Sequence, residues 1–303
     1  MTPGAYLLMP IRPPDAHPPR LTHLARIVPH MGCWYEGPLV GLDFETTGID
    51  PLTDVPVQAA LVWCDGRGGR RTAAWFVDPG REIPEAAIAV HGISTERARR
   101  EGASLEHTAR RLHRELTRAE REAVPVVAMN ASFDVTIAST LFAGVGLAQP
   151  AFGLVIDPLV IDRKLDGERE GKRHLDALCN HYGISFEGGH DAARDAYAAV
   201  LLAREIGRQW PEAGHADPEE LTVLQRVWHD EWARERDRCR RREGKPGLDA
   251  SEHLWPVRLP QPRSDEPGPG GRDGQSASDS RTVSMSSSVD RGLTMQRRIA
   301  VRP

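Results

Sequence analysis

Gly41-Leu42-Asp43-Phe44-Glu45-Thr46-Thr47-Gly48 is the stretch on which the reading of this chain turns. Residues 39–44 read as a buried strand, entered after Pro38 and left before Gly48. Side chains alternate along a strand, so Asp43 and Glu45, two apart, point to one face. The rest of that strand is apolar. Two carboxylates side by side repel one another and are costly to bury. A divalent cation removes both objections; the other reading is a strand end whose acids face water.

Residues 55–64 read as a second strand and residues 72–77 as a third. The glycine-rich stretch 65–71 joins them as a hairpin. Leu105, Ala109, Leu112 and Leu116 recur at helical spacing. A short apolar strand over 124–129, a helix over 133–142 and a last strand over 154–156 follow. Closing helices are expected over 175–182 and 192–206. Strands in a hairpin and then alternating helices and strands specify an α/β domain, a mixed sheet with helices on its faces. We place that domain at 37–210.

The flanks differ in composition. Residues 1–36 show no helical or strand period and carry Pro10, Pro13, Pro14, Pro18 and Pro19, so they read as a disordered leader, with Met31 an alternative start. Residues 211–260 read as a helical extension in which Leu221, Leu224, Val227, Trp228 and Trp232 form an apolar stripe. Arginines at 234, 236, 238, 240, 241 and 242 follow, either as a solvated face or as a surface for nucleic-acid phosphates. Residues 261–303, rich in Pro, Gly, Ser, Asp and Arg, bury too little apolar surface to offset the entropy of ordering and read as a disordered tail.

The chain has 303 residues, room for one or two domains. Its 40% hydrophobic and 27% charged residues are those of an ordinary globular protein. Lys and Arg number 39 against 43 Asp and Glu, a formal net charge of −4, which excludes a strongly basic nucleic-acid coat. An anionic partner then needs bound metal ions to supply positive charge. Cys33, Cys64, Cys179 and Cys239 form no CxxC pair, which suggests neither a zinc site nor a disulfide framework and fits a reducing cytoplasm. No apolar run is long enough to span a bilayer.

Two further motifs carry acids. In Asn130-Ala131-Ser132-Phe133-Asp134, Asn130 or Ser132 is suited to cap the following helix, which puts Asp134 in its first turn. Acids are common there for dipole reasons alone. In His190-Asp191-Ala192-Ala193-Arg194-Asp195, preceded by Gly188 and Gly189, Asp191 is the natural N-cap. Asp195 then falls on the line Asp195, Ala199, Leu202, Ile206, the face that packs on the sheet. A charge on a buried stripe wants a partner. His190 taken alone reads as a loop residue.

The order of these motifs resembles that of the DEDDh 3′–5′ exonucleases of the ribonuclease H-like superfamily. Within that group the pattern is most like the DnaQ-like exonuclease domains of DNA polymerase III epsilon subunits. The likeness runs from about residue 38 to 207. It is supported by His91-Gly92-Ile93-Ser94, Ile156-Asp157-Pro158-Leu159 and Tyr182-Gly183-Ile184. Asp191 stands where a sister class has tyrosine, so the histidine class fits.

The resemblance implies a five-stranded mixed sheet with the site at its edge. It implies that Asp43, Glu45, Asp134 and Asp195 bind two divalent ions, Mg²⁺ or Mn²⁺, and that His190 is the general base. Thr46, Thr47 and His91 match positions that cradle the terminal nucleotide, with Asn130 and Phe133 also substrate-binding; Asp157 reads as structural. The implied reaction releases nucleoside 5′-monophosphates from the 3′ end of single-stranded nucleic acid, DNA favoured over RNA, in proofreading or repair. The implied partners are those 3′ ends, with a DNA polymerase or clamp as a further one, and no membrane. The competing readings are a non-catalytic nucleic-acid-binding module and a polymerase-associated adaptor on the same fold.

Overall fold

The computed structural model describes residues 33–150, 152–186 and 189–259. The expected tail, Met31 and Gly188 lie outside the described residues, as does the leader up to residue 32. Residues 33–36, expected as part of the leader, belong to the fold. Trp34 lies in a short 3-10 turn, is buried, and donates its indole N–H to the Ala213 carbonyl at 2.8 Å.

Three long strands form the antiparallel half of the sheet: β1 (Leu39–Thr46), β2 (Pro56–Cys64) and β3 (Arg70–Asp78). Two short helices, α1 (Glu85–His91) and α2 (Thr95–Glu101), lead into a two-residue strand β4 (Ala103–Ser104) and the long helix α3 (Leu105–Arg121). Next come β5 (Val126–Val127), α4 (Ala131–Gly144), β6 (Val155–Ile156), α5 (Pro158–Leu165) and α6 (Leu175–His181). Helices α7 (Ala192–Gln209), α8 (Pro211–Gly214) and α9 (Pro218–Arg242) follow, and a 3-10 turn at Ala250–His253 comes after them.

The strand order is β4-β3-β2-β1-β5-β6, six strands rather than the five expected, because β4 pairs parallel to the end of β3. Strands β5 and β6 pair parallel to one another, and β5 parallel to β1. The strand expected over 124–129 shrinks to two residues for two reasons. Pro125 has no N–H for the ladder. At the other end, Asn130 turns left-handed, at φ 62°, into α4.

Strand β1 is covered on both faces, which explains its nearly continuous apolar run. Val40, Leu42 and Phe44 pack with Leu112 and Leu116 of α3 and Ile137 and Leu141 of α4. Leu39 packs with Val200 and Leu202 of α7. Gly41 lies on that same face, and a Cβ there would stand 2.3 Å from the Ala196 carbonyl oxygen. Only glycine lets the α7 backbone come so close. That contact brings the first turns of α7 down beside Asp43, the next residue on the same face of the strand.

The C-terminal extension is bolted to the sheet edge. Gln225 of α9 donates to the Val155 carbonyl at 2.7 Å and accepts from the Asp157 backbone N–H at 2.6 Å. Trp255, 4% exposed, completes a cluster with Val135, Val155 and Val160. Its indole donates to Asp157 Oδ2 at 3.2 Å. Trp255→Ala is expected to cost about 3–5 kcal/mol of stability, the usual loss for a buried aromatic side chain. Denaturant melts of the two proteins check this; a loss below about 1 kcal/mol would mean that the extension only leans on the fold.

Candidate active site

Strand alternation puts Asp43 and Glu45 on the α7 face, as expected from their spacing. At their end of the ladder β1 slips by one residue: Glu45 pairs with Gln58, but Thr46 pairs with Pro56. Pro56 has no N–H to continue the pairing, and such bulges re-aim side chains at the ends of strands.

Asp134 enters from α4. Its Oδ1 accepts the Phe44 backbone N–H at 3.2 Å, which ties the first turn of α4 to β1 between the two acids of that strand. The cap of α4 is not the one expected. Asn130 stands at the N-cap position but its side chain makes no cap bond. Ser132 lies inside the helix, fully buried. The capping carboxylate is Asp157, which accepts from Asn130 N at 3.0 Å and Ala131 N at 2.8 Å. Asp157 also caps α5 through Leu159 N at 3.0 Å, so one buried acid starts two helices.

Asp195 comes from α7. Asp191 caps that helix as expected, accepting from Arg194 N at 3.1 Å. His190 precedes it at φ 67°, and its backbone N–H donates to Asp195 Oδ2 at 3.1 Å. Glu45, His190 and Asp195 each offer a ligand atom, and those atoms lie within 4.8 Å of one another.

The electrostatics join Asp43 and Asp134 to this group. Burial, then the charges of Asp134, Asp195 and Glu45, push the Asp43 carboxyl well above the usual range. Burial raises Asp134 in the same direction, against the hydrogen bond from Phe44. Burial and the neighbouring Asp195 and Asp191 push Glu45 up to about 7. Asp195 is raised by burial and eased back by the His190 N–H. Its Oδ1 is buried and has no hydrogen-bond partner among the described residues. Crowded acids with an orphaned carboxylate oxygen fit a divalent cation, which would serve as the missing partner and counter-charge.

The crowding has a sign that can be measured. A carboxyl with a raised folded-state pKa holds its proton where the unfolded chain has lost it, so stability falls as pH rises through that window. For Glu45 the window runs from its ordinary value of 4.5 to about 7. Metal-stripped protein is expected to melt at lower temperature at pH 8 than at pH 5, with Glu45 accounting for about 3 kcal/mol. Adding Mg²⁺ at pH 8 is expected to reverse the loss. A melting temperature that rises from pH 5 to 8 without metal would show that the acids do not crowd.

Residues 40–203 match the exonuclease family (RNase T), more than half of the chain. The chain belongs to the exonuclease family. A DNA polymerase III subunit epsilon-like protein of Rhodobacter capsulatus is 35% identical over 170 residues, covering 53% of this chain and 22% of the relative. A PolC-type DNA polymerase III of Listeria innocua is 29% identical over 164 residues, covering 54% of this chain and 11% of that protein. The matched region is thus a small part of each relative's length. Among solved structures, E. coli exonuclease I in complex with a dA16 oligonucleotide shares the fold, with a TM-score of 0.51 and 22% identity over 58% of this chain and 42% of that one. The sheet and its helices are a ribonuclease H-like exonuclease fold.

In this exonuclease the remaining expected residues divide. His91, at the end of α1, accepts from Ile93 N through Nδ1 at 3.1 Å. Its buried Nε2 sits near the Thr46 backbone without a hydrogen bond to it. Burial lowers the His91 pKa, and the Thr46 backbone partly offsets that. Thr46 donates its hydroxyl to the Gly48 carbonyl at 2.6 Å. The Thr47 hydroxyl is spent inside its own loop: it donates to Asp54 at 2.7 Å and accepts from Val55 N and Arg81. Phe133 packs against the core beneath α3 and α4.

Sequence reasoning missed Gln58. Its amide donates to Asp191 Oδ2 at 3.2 Å and accepts from Ala192 N at 3.1 Å, so it pins the start of α7 to the strand beside Glu45. A lone amide in the apolar run 57–63 was the available signal, since a buried amide needs partners. A cavity of about 1420 Å³ lies away from this cluster, at the opposite ends of the strands; Trp34, Pro38, Trp63 and Val124 line it. Asp43, Glu45, Asp134 and Asp195 are not among its lining residues. Among the described residues no helix is long and apolar enough to cross a membrane.

Proposed function

We propose that this exonuclease is a metal-dependent 3′–5′ enzyme that releases nucleoside 5′-monophosphates from single-stranded nucleic acid, DNA in preference to RNA, in proofreading or repair. The observation that carries the proposal is the convergence of Glu45, His190 and Asp195 within 4.8 Å, where Asp195 keeps an unpartnered buried oxygen. In this reading Asp43, Glu45, Asp134 and Asp195 hold two divalent ions, Mg²⁺ or Mn²⁺. Bound ions would supply the charge that neutralises the phosphodiester and eases ionisation of water.

The chain's own groups do the rest. His190 is exposed and lies in the cluster with Glu45 and Asp195, so its ring takes the proton from the attacking water. The His190 N–H holds the Asp195 carboxylate in place, and Gln58 and Asp191 fix the helix that carries it. Thr46 and His91 stand beside the acids, where a terminal nucleotide would sit. The epsilon-like relative makes association with a DNA polymerase part of the same reading.

The test compares DNA and RNA oligomers labelled at the 5′ end, with Mg²⁺, with Mn²⁺ and with EDTA. A ladder shortening from the 3′ end, faster on DNA and abolished by EDTA, is the expected result. Cleavage that survives the chelator, or a label released at once as a mononucleotide, would overturn the mechanism or the polarity respectively.

A further inference from the structure

We infer that Arg258, carried by the C-terminal extension, is a specificity-determining residue that binds a backbone phosphate of the single strand upstream of the terminal nucleotide. The inference rests on the exonuclease reading above and adds to it a residue outside the 40–203 family region.

The placement comes from the extension itself. Trp255 is locked onto Asp157, the acid that caps α4. The chain then runs along α4. Arg258 N donates to Thr136 Oγ1 at 2.9 Å, and its guanidinium reaches back by one helical turn to Ser132. Nη2 lies 3.2 Å and Nε 3.4 Å from Ser132 Oγ. Ser132 and Thr136 are both fully buried, so the guanidinium is seated, not splayed in solvent. Ser132 precedes Asp134 by two residues in the same first turn. Burial lowers the Arg258 pKa, and the charges of Glu252 and then of Asp50, in the loop that leaves β1 beyond Gly48, partly offset that. Arg258 therefore stands at the N-terminal end of α4, the end that also carries Asp134, on the helix face of Ser132 and Thr136.

Its charge is the point. Other half-buried arginines have strong partners: Arg169 and Arg173 meet the Asp162 carboxylate, Arg204 donates to the Tyr35 and Gly37 carbonyls, and Arg163 lies over the Trp232 ring. The Arg258 guanidinium meets one neutral hydroxyl, that of Ser132, and no carboxylate lies within ion-pair distance among the described residues. Holding a guanidinium half-buried against neutral groups costs free energy that an anionic ligand returns. A protein of net charge −4 whose site is a cluster of acids needs such a cation for any phosphate that the ions do not neutralise. Bonding through Nε and Nη2 leaves the Nη1 edge of the fork for phosphate oxygens.

The test uses the full chain and its Arg258→Gln and Arg258→Lys variants. Glutamine keeps a donor for Ser132 and removes the charge. Two substrates are compared: an oligothymidylate, and the p-nitrophenyl ester of thymidine 5′-monophosphate, which has no upstream phosphate. For Arg258→Gln we expect KM for the oligomer to rise about tenfold with kcat changed by less than about threefold. The slope of log K against log salt should become shallower by about 0.7, the value of one single-strand phosphate contact. The ester should lose about twofold at most, and Arg258→Lys should restore the salt slope. An unchanged oligomer KM and slope would overturn the inference. So would equal losses on both substrates with a lowered melting temperature, because that is the signature of a staple on α4. A wild-type protein that cleaves neither substrate would overturn the exonuclease reading, and this inference with it.

Discussion

Asp43→Ala is expected to reduce nuclease activity to background, about a thousandfold or more, while leaving the folded protein as stable as before or more so without metal. Activity falls because a metal ligand at the centre of the acid cluster contributes several kcal/mol to charge stabilisation in the transition state, and each 1.36 kcal/mol is tenfold in rate. Stability does not fall because the wild-type residue is under strain. Burial and the charges of Asp134, Asp195 and Glu45 all oppose its ionisation. Removing it leaves the remaining acids repelling one another less. Oligonucleotide turnover and metal-free melting at pH 8 are the two measurements. A variant that retains a tenth of the activity would remove Asp43 from the ligand set. A variant inactive only because it melts several degrees lower would make Asp43 a structural residue. Asp43→Asn serves as the isosteric control and should be equally inactive.

The second large effect is expected at His190. General-base catalysis contributes roughly 10²–10⁴-fold, so His190→Ala should lower turnover by about that factor with Mg²⁺ affinity nearly unchanged. His190→Gln should behave alike, since an amide can hydrogen-bond water but cannot take its proton at neutral pH. The contact with Asp195 runs through the His190 backbone N–H, which either substitution keeps. Loss of activity would therefore report on the ring, not on the position of Asp195. Because the ring also lies in the Glu45–Asp195 cluster, calorimetric Mg²⁺ titration separates the two roles. A large drop in affinity would make His190 a ligand, and rates within a few-fold of wild type would make it a loop residue.

What could be read from the sequence is what local chemistry encodes. Alternation placed Asp43 and Glu45 on one face, and the structure puts both on the α7 face. The helical line through Asp195, Ala199, Leu202 and Ile206 placed that acid on the buried side of α7. In the structure those three apolar residues are buried. Asp191 as N-cap followed from a bond only three residues long. The short elements escaped for the same reason: β4 has two residues and α1 and α2 seven each, too few to show a period.

The tertiary structure decided what depends on groups distant in sequence. The cap of α4 was sought in Asn130 or Ser132, but the carboxylate that reaches its N–H groups is Asp157, 27 residues away. The start of α7 is fixed by Gln58, 133 residues away, which no local window contains. Thr47 looked free for a nucleotide, yet folding of its loop commits its hydroxyl to Asp54. Arg258 reaches α4 because Trp255, anchored on Asp157, brings the chain there. Periodicity and capping rules describe interactions within a turn or two of backbone. Hydrogen bonds across the sheet obey the same chemistry, but only the fold determines which of several equally suitable partners arrives.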